Sequence, residues 1–91
     1  REIYFRRRSV LAPALTDAGF RIDHSQGGLY LWATRGENCW DTARALAEHG
    51  VLVTPGDFYG DAGVEHVRVA LTATDDVIGR TKARLASFSG R

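Results

Sequence analysis

The spacing of apolar positions along this chain switches between the period of a helix and that of a strand, and those switches divide it into elements. Leu11, Ala14, Leu15 and Ala18 recur at helical spacing, while Arg6, Arg7, Arg8 and Asp17 fall mostly on other faces. Residues 2–18 are therefore predicted as a first helix, ending before Gly19. Pro13 lies inside it. Proline deletes the bond to the Ser9 carbonyl and costs about 3 kcal/mol if nothing compensates, which predicts a kink. Phe20-Arg21-Ile22-Asp23 alternates like a short edge strand, and Gly27-Gly28 reads as a turn. In Leu29-Tyr30-Leu31-Trp32-Ala33 the run of apolar residues predicts a strand covered on both faces.

Residues 35–38 read as a loop, with Asn38 as N-cap of a second helix and Asp41 at its positive end. Trp40, Ala43, Leu46 and Ala47 are its predicted buried stripe. Gly50 follows as a left-handed terminator, and Val51-Leu52-Val53 reads as a short strand stopping at the turn dipeptide Pro55-Gly56. The loop over residues 54–65 holds Gly56, Gly60 and Gly63 and also two adjacent aromatics, Phe58 and Tyr59, a pair that solvated loops rarely expose without a partner. His66-Val67-Arg68-Val69-Ala70-Leu71-Thr72 alternates as a strand. Thr74 then caps a last helix with Asp75 and Asp76 in its first turn and Ile78, Thr81, Leu85 and Phe88 on one side. The order α, β, β, α, β, β, α predicts an α+β domain, a small mixed sheet of three to four strands packed with about three helices.

Composition narrows the class. Ninety-one residues, 44% hydrophobic and 25% charged, suit one small globular domain rather than a disordered or fibrous chain. The chain lacks methionine and opens directly in helix-compatible sequence, so the expectation is a fragment of a longer protein, residues 1–91 forming a single domain of it. A net charge of +1 supplies no field that favours nucleic acid or a membrane surface. A single cysteine forms no internal disulfide, and no apolar stretch approaches the roughly 20 residues of a membrane span, so the cytoplasm is the expected compartment.

Arg68 is the candidate with the most chemistry. Alternation places Val67, Val69 and Leu71 on one face and His66, Arg68, Ala70 and Thr72 on the other, where small neighbours leave a guanidinium room to grip a carboxylate through two parallel hydrogen bonds. The same pattern also describes an ordinary polar residue on the wet face of a half-buried strand. Other candidates are weaker. Cys39 with His24, His49 and His66 matches no zinc spacing, and Cys39 reads as a packed thiol, the histidines as surface or strand-end residues. Arg6-Arg7-Arg8 spreads around its helix as a solvated or interdomain face. The glycines form no phosphate-cradling fingerprint, and the one lysine, Lys82, sits in a polar context between Arg80 and Arg84. The chain thus carries a carboxylate grip and an aromatic loop, with no nucleophile, base or metal set to complete an active site.

Three segments in order, Gly28-Leu29-Tyr30-Leu31-Trp32, the run from Gly50-Val51 through Thr54-Pro55-Gly56-Asp57-Phe58-Tyr59-Gly60, and His66-Val67-Arg68-Val69-Ala70-Leu71-Thr72, resemble the C-terminal small domain of class I/II (fold type I) pyridoxal-phosphate aminotransferases. Within that family they most resemble the actinobacterial N-succinyldiaminopimelate aminotransferases. The resemblance implies that Arg68 binds the α-carboxylate of an amino acid or 2-oxo acid substrate, and that Pro55, Gly56, Phe58 and Tyr59 line the substrate entrance. It also implies that pyridoxal phosphate and its Schiff-base lysine belong to the large domain of the same enzyme, that the parent is a homodimer of lysine biosynthesis, and that this piece alone is inactive. The competing expectation is a free-standing α+β module that senses an amino acid or docks a protein.

Overall fold

The computed structural model describes residues 2–23 and 28–88; His24 and Gly27 of the predicted turn lie outside them. The elements are α1 (Glu2–Asp17), β1 (Arg21–Asp23), β2 (Tyr30–Thr34), α2 (Cys39–Glu48), β3 (Thr54–Pro55), two short 3-10 turns (Gly56–Tyr59 and Asp61–Gly63), β4 (His66–Ala70) and α3 (Asp75–Phe88). The predicted order and α+β class hold. Every strand pair is antiparallel, in the order β1-β2-β4-β3, where a mixed sheet was expected.

Both short exits from helix to strand share one cause. At the end of α1 the Phe20 amide donates to the Leu15 carbonyl at 3.0 Å and the Gly19 amide to Thr16 at 3.1 Å, with Gly19 at φ +100°. The end of α2 repeats this pattern, Val51 donating to Leu46 and Gly50 to Ala47, both at 2.9 Å, with Gly50 at φ +80°. Glycine is the residue that enters this left-handed conformation without a Cβ clash, and the bonds satisfy carbonyls the helix leaves open. The second exit corrects the strand expected over residues 51–53. Val51 has its amide committed to Leu46, Leu52 is 85% exposed, and pairing with β4 begins only at Thr54.

The helix α1 runs through Pro13 without interruption, flanked by hydroxyls of Ser9 and Thr16 that donate back to the carbonyls of Phe5 and Ala12. Its buried side chains are Leu11 and Leu15, on the predicted stripe. They join Leu31, Ala33, Val67, Val69 and Leu71 from the sheet side and Ile78, Leu85 and Phe88 of α3 in one core. In α2 the stripe is rotated from expectation: Cys39, Thr42 and Leu46 are buried, whereas Trp40 and Ala47 are exposed. Asn38 caps α2 as predicted, accepting from the Trp40 amide at 2.9 Å, and Thr74 caps α3, accepting from Val77.

Arg7 closes the fold rather than facing solvent. Its guanidinium donates to the Asp75 carboxylate at 2.8 Å and to the Leu71 carbonyl at 2.9 Å, tying α1 to the chain where it leaves β4 and enters α3. Arg8 reaches the Tyr30 carbonyl at 3.4 Å, so of the three arginines expected to form a solvated or interdomain face, Arg6 is the exposed one. Among the described residues no helix is long and apolar enough to cross a membrane.

Candidate functional site

Register assigns each strand residue to a face. Leu31 pairs with Val69, Ala33 with Val67 and Ile22 with Ala33, and this face carries the core. Residues one step away point to the opposite side, where a row runs across all four strands: Asp23, Trp32, Arg68 and Thr54. Arg21, Thr34 and His66 form the adjoining row, and Tyr30 with Ala70 the row beyond. The predicted alternation around Arg68 is therefore real, and the guanidinium stands in the middle of the second face.

Two aromatic rings hold it. The Arg68 guanidinium carbon lies 4.1 Å from the Tyr30 ring centroid and 4.8 Å from that of Tyr59. Tyr30 is the diagonal cross-strand neighbour of Arg68, while Tyr59 arrives from the first 3-10 turn. Among the described residues no carboxylate pairs with Arg68, and its Nε is buried without a hydrogen-bond partner. Planar guanidinium suits this arrangement, because its faces stack on rings while its N–H edge remains free for a planar acceptor.

Beside it stands a second group that the sequence reading left as a plain strand-end residue. His66 Nε2 lies 2.7 Å from Asp23 Oδ2, and its ring stacks on Trp32 with centroids 4.9 Å apart and planes 8° from parallel. Asp23 also accepts two hydrogen bonds from Arg21, at 2.8 and 2.9 Å. These bonds, first that of Arg21 and then that of His66, hold the Asp23 carboxyl well below the usual carboxylate range. Trp32 in turn meets the ring of Tyr59 edge-on at 6.2 Å. One line of contacts thus runs from β1 over β2 to the loop ring that covers Arg68. A recess of about 340 Å³ next to His66 is lined by Arg21, Thr34, Arg35, Gly36 and Glu65 as well.

The loop that delivers Tyr59 is pinned by two glycines. A Cβ on Gly56 would stand 2.6 Å from the His66 carbonyl oxygen and 2.9 Å from the Trp32 ring, and would also strike the Gly63 carbonyl. A Cβ on Gly63 would strike the Gly56 carbonyl in return. The two backbones cross in contact, which only residues without side chains permit. Pro55 pairs with Val67 and is buried on the core side, so on β3 it is Thr54 that shares the face of Arg68. Phe58 is 66% exposed and meets the Trp40 ring at 5.7 Å, and the Trp40 indole donates to Asp57 at 2.9 Å.

The remaining candidates take structural places. Cys39 is fully buried, as expected of a packed thiol. Burial would raise the pKa of the neighbouring Glu37, but hydrogen bonds from Arg35 and Thr42 outweigh it and leave the carboxyl lowered. His49 lies 3.2 Å from the Ala45 carbonyl and edge-on to Phe88, and Lys82 is exposed on α3. No cluster of metal-ligating side chains exists among the described residues.

Comparison with known proteins places these features in a family. The model of the family described as aminotransferase class I and II matches residues 1–85. The "Probable aminotransferase" of Mycobacterium tuberculosis strain H37Rv is 60% identical over 85 residues, 93% of this chain and 20% of that protein. The 4-dedimethylamino-4-oxo-anhydrotetracycline transaminase OxyQ of Streptomyces rimosus is 58% identical over 85 residues, covering 24% of its length, and an LL-diaminopimelate aminotransferase of Dehalococcoides mccartyi is 38% identical over 89, covering 23%. Among solved structures, a tetra mutant of Thermus thermophilus aspartate aminotransferase superposes with a TM-score of 0.82 at 28% identity, over 97% of this chain and 24% of its own. The chain thus spans a fifth to a quarter of the length of the proteins it matches.

Proposed function

The chain belongs to the class I and II aminotransferase family, and from that premise we propose that it is the carboxylate-binding part of a pyridoxal-phosphate aminotransferase, with Arg68 gripping the α-carboxylate of the amino acid or 2-oxo acid. The observation that carries this reading is the state of Arg68. Its guanidinium carbon lies over two tyrosine rings, at 4.1 and 4.8 Å, and it has no acid partner among the described residues. Arg7 and Arg21, by contrast, each end in an ion pair with a neighbouring aspartate.

Arg68 supplies orientation. Two parallel N–H···O bonds fix the carboxylate plane and with it the direction of the bonds at Cα, so the grip affects turnover as well as binding. Tyr59 and Phe58 furnish aromatic walls on the loop, and Pro55 and Gly56 hold that loop against the sheet. Pyridoxal phosphate, when bound, supplies an electron sink. The described residues do not fit that group: the one lysine is exposed on α3 and no glycine-rich phosphate cradle is present. Its binding falls to parts of the enzyme outside this chain, which by itself is inactive.

For the substrate we infer an acyclic amino acid of the diaminopimelate class, N-succinyldiaminopimelate with glutamate and 2-oxoglutarate as the exchanging pair, in a cytoplasmic homodimer serving lysine biosynthesis. The names of several relatives support the diaminopimelate class. The test is Arg68→Ala in the intact enzyme. The expected result is a fall in kcat/KM of at least about tenfold with the cofactor still bound, read from its visible absorbance. Unchanged kinetics would overturn the role of Arg68.

A further inference from the structure

Tyr30 and Tyr59 contact Arg68 through their rings, and no hydrogen bond joins either hydroxyl to it. The buried Nε has no acceptor, so nothing polar among the described residues sets the direction of the guanidinium. Tyr30 belongs to a strand, rigid through its pairing with Ala70. Tyr59 belongs to the loop, is 50% exposed, and is braced edge-on by Trp32, which also stacks on the His66 ring bonded to Asp23.

We propose that Tyr30 and Tyr59 are positioning residues that aim Arg68: the two rings fix the plane of its guanidinium, and Trp32 and His66 hold the Tyr59 ring in register with it. The assignment rests on the reading of Arg68 as carboxylate grip. A rotating long side chain must be ordered before it can make two parallel bonds, and stacking orders it in advance, so the ligand meets a fixed fork. An ammonium has no plane to stack, which distinguishes arginine from lysine at this position. The charge of the site is unchanged by removing either ring. What changes is the fraction of time the fork faces the carboxylate.

The experiment uses the intact enzyme with maleate, a dicarboxylate, as binding probe, together with steady-state kinetics. Tyr59→Ala is expected to raise KM for the amino acid and Kd for maleate by about three- to fivefold, the scale of one exposed cation–ring contact, and to lower kcat as well, since the same fork orients the bonds at Cα. Tyr59→Phe, which keeps the ring, restores both to within about twofold. Tyr30→Ala repeats the pattern. In Arg68→Lys the Tyr59→Ala change has no further effect, because the group the ring aims is gone.

A merely structural role for the tyrosines would instead lower kcat through loss of folded enzyme and leave KM unchanged, and that result overturns the proposal. Arg68→Ala is measured in parallel. If it too leaves KM and maleate affinity unchanged, the carboxylate reading itself fails. If it raises them while Tyr30→Ala and Tyr59→Ala do not, only the aiming role fails.

Discussion

The two faces of the sheet are made by alternate residues of the same strands, yet they solve opposite problems. On one face Val67, Val69, Leu31 and Ala33 are buried at 4% exposure or less, and all join the same core. On the other, His66 Nδ1 and Arg68 Nε are buried without partners, and aromatic rings replace the hydrogen bonds that a structural polar group would have. The covered face is complete in itself. The second leaves polar atoms without partners, and under the proposed reading that difference separates residues that build the domain from residues that would serve a ligand.

Substitutions on the two sides should separate accordingly. Leu31→Ala, on the covered face, is expected to cost about 3 kcal/mol of stability in denaturant unfolding while the enzyme that remains folded keeps its KM. Arg68→Ala, one strand position from Val67 and Val69 but on the other side, should reverse this: at least about tenfold lost in kcat/KM, with stability changed by less than about 1 kcal/mol. Thr74→Ala removes the cap of α3, behind the covered face, and should cost about 1 kcal/mol with no change in kinetics. If any of these variants moved both quantities together, the division between the faces would fail.

The smallest effect concerns acid. The depressed pKa of Asp23 means that the unfolded chain binds a proton at higher pH than the folded one, so the contribution of this carboxylate is fully present above the ordinary carboxylate value, about 4. It is lost progressively as pH falls from there toward the folded value. Asp75, lowered chiefly by its bond from Arg7, acts in the same direction. Asp23→Asn should therefore flatten the acid limb of the stability curve, in urea unfolding between about pH 5 and 2, and leave neutral pH kinetics almost unchanged. An unaltered acid limb would mean that the Arg21–Asp23–His66 group contributes nothing to the open face.

Much of this was legible before any coordinates. The element order, the end of α1 before Gly19, the left-handed end of α2 at Gly50, both caps and the face of Arg68 follow from local spacing and local chemistry. Two local misreadings have specific causes. Valine and leucine at residues 51–53 have strand propensity, but the amide of Val51 is already committed to closing α2, so pairing starts later. Helical spacing puts Trp40 on a buried stripe with Ala43, Leu46 and Ala47, whereas the phase of α2 is set by Cys39, Thr42 and Leu46, and Trp40 finds Asp57 and Phe58 outside the core. The clamp on Arg68 was illegible for a different reason. Tyr30 reaches it through a diagonal of the β2–β4 register and Tyr59 through a loop path, and neither register nor path is encoded in the spacing of any one segment.

The crossing of Gly56 over Gly63 separates frame from content in the loop between them. The ends are locked backbone to backbone, while Asp57, Phe58, Asp61 and Ala62 are exposed. Asp61 and Ala62 can be exchanged without touching the anchor points or the ring that rests on Arg68, whereas Asp57 and Phe58 are tied to Trp40. The loop thus has fixed mounts and an exposed tip, so its outer side chains can vary while the backbone crossing that delivers Tyr59 to Arg68 is kept.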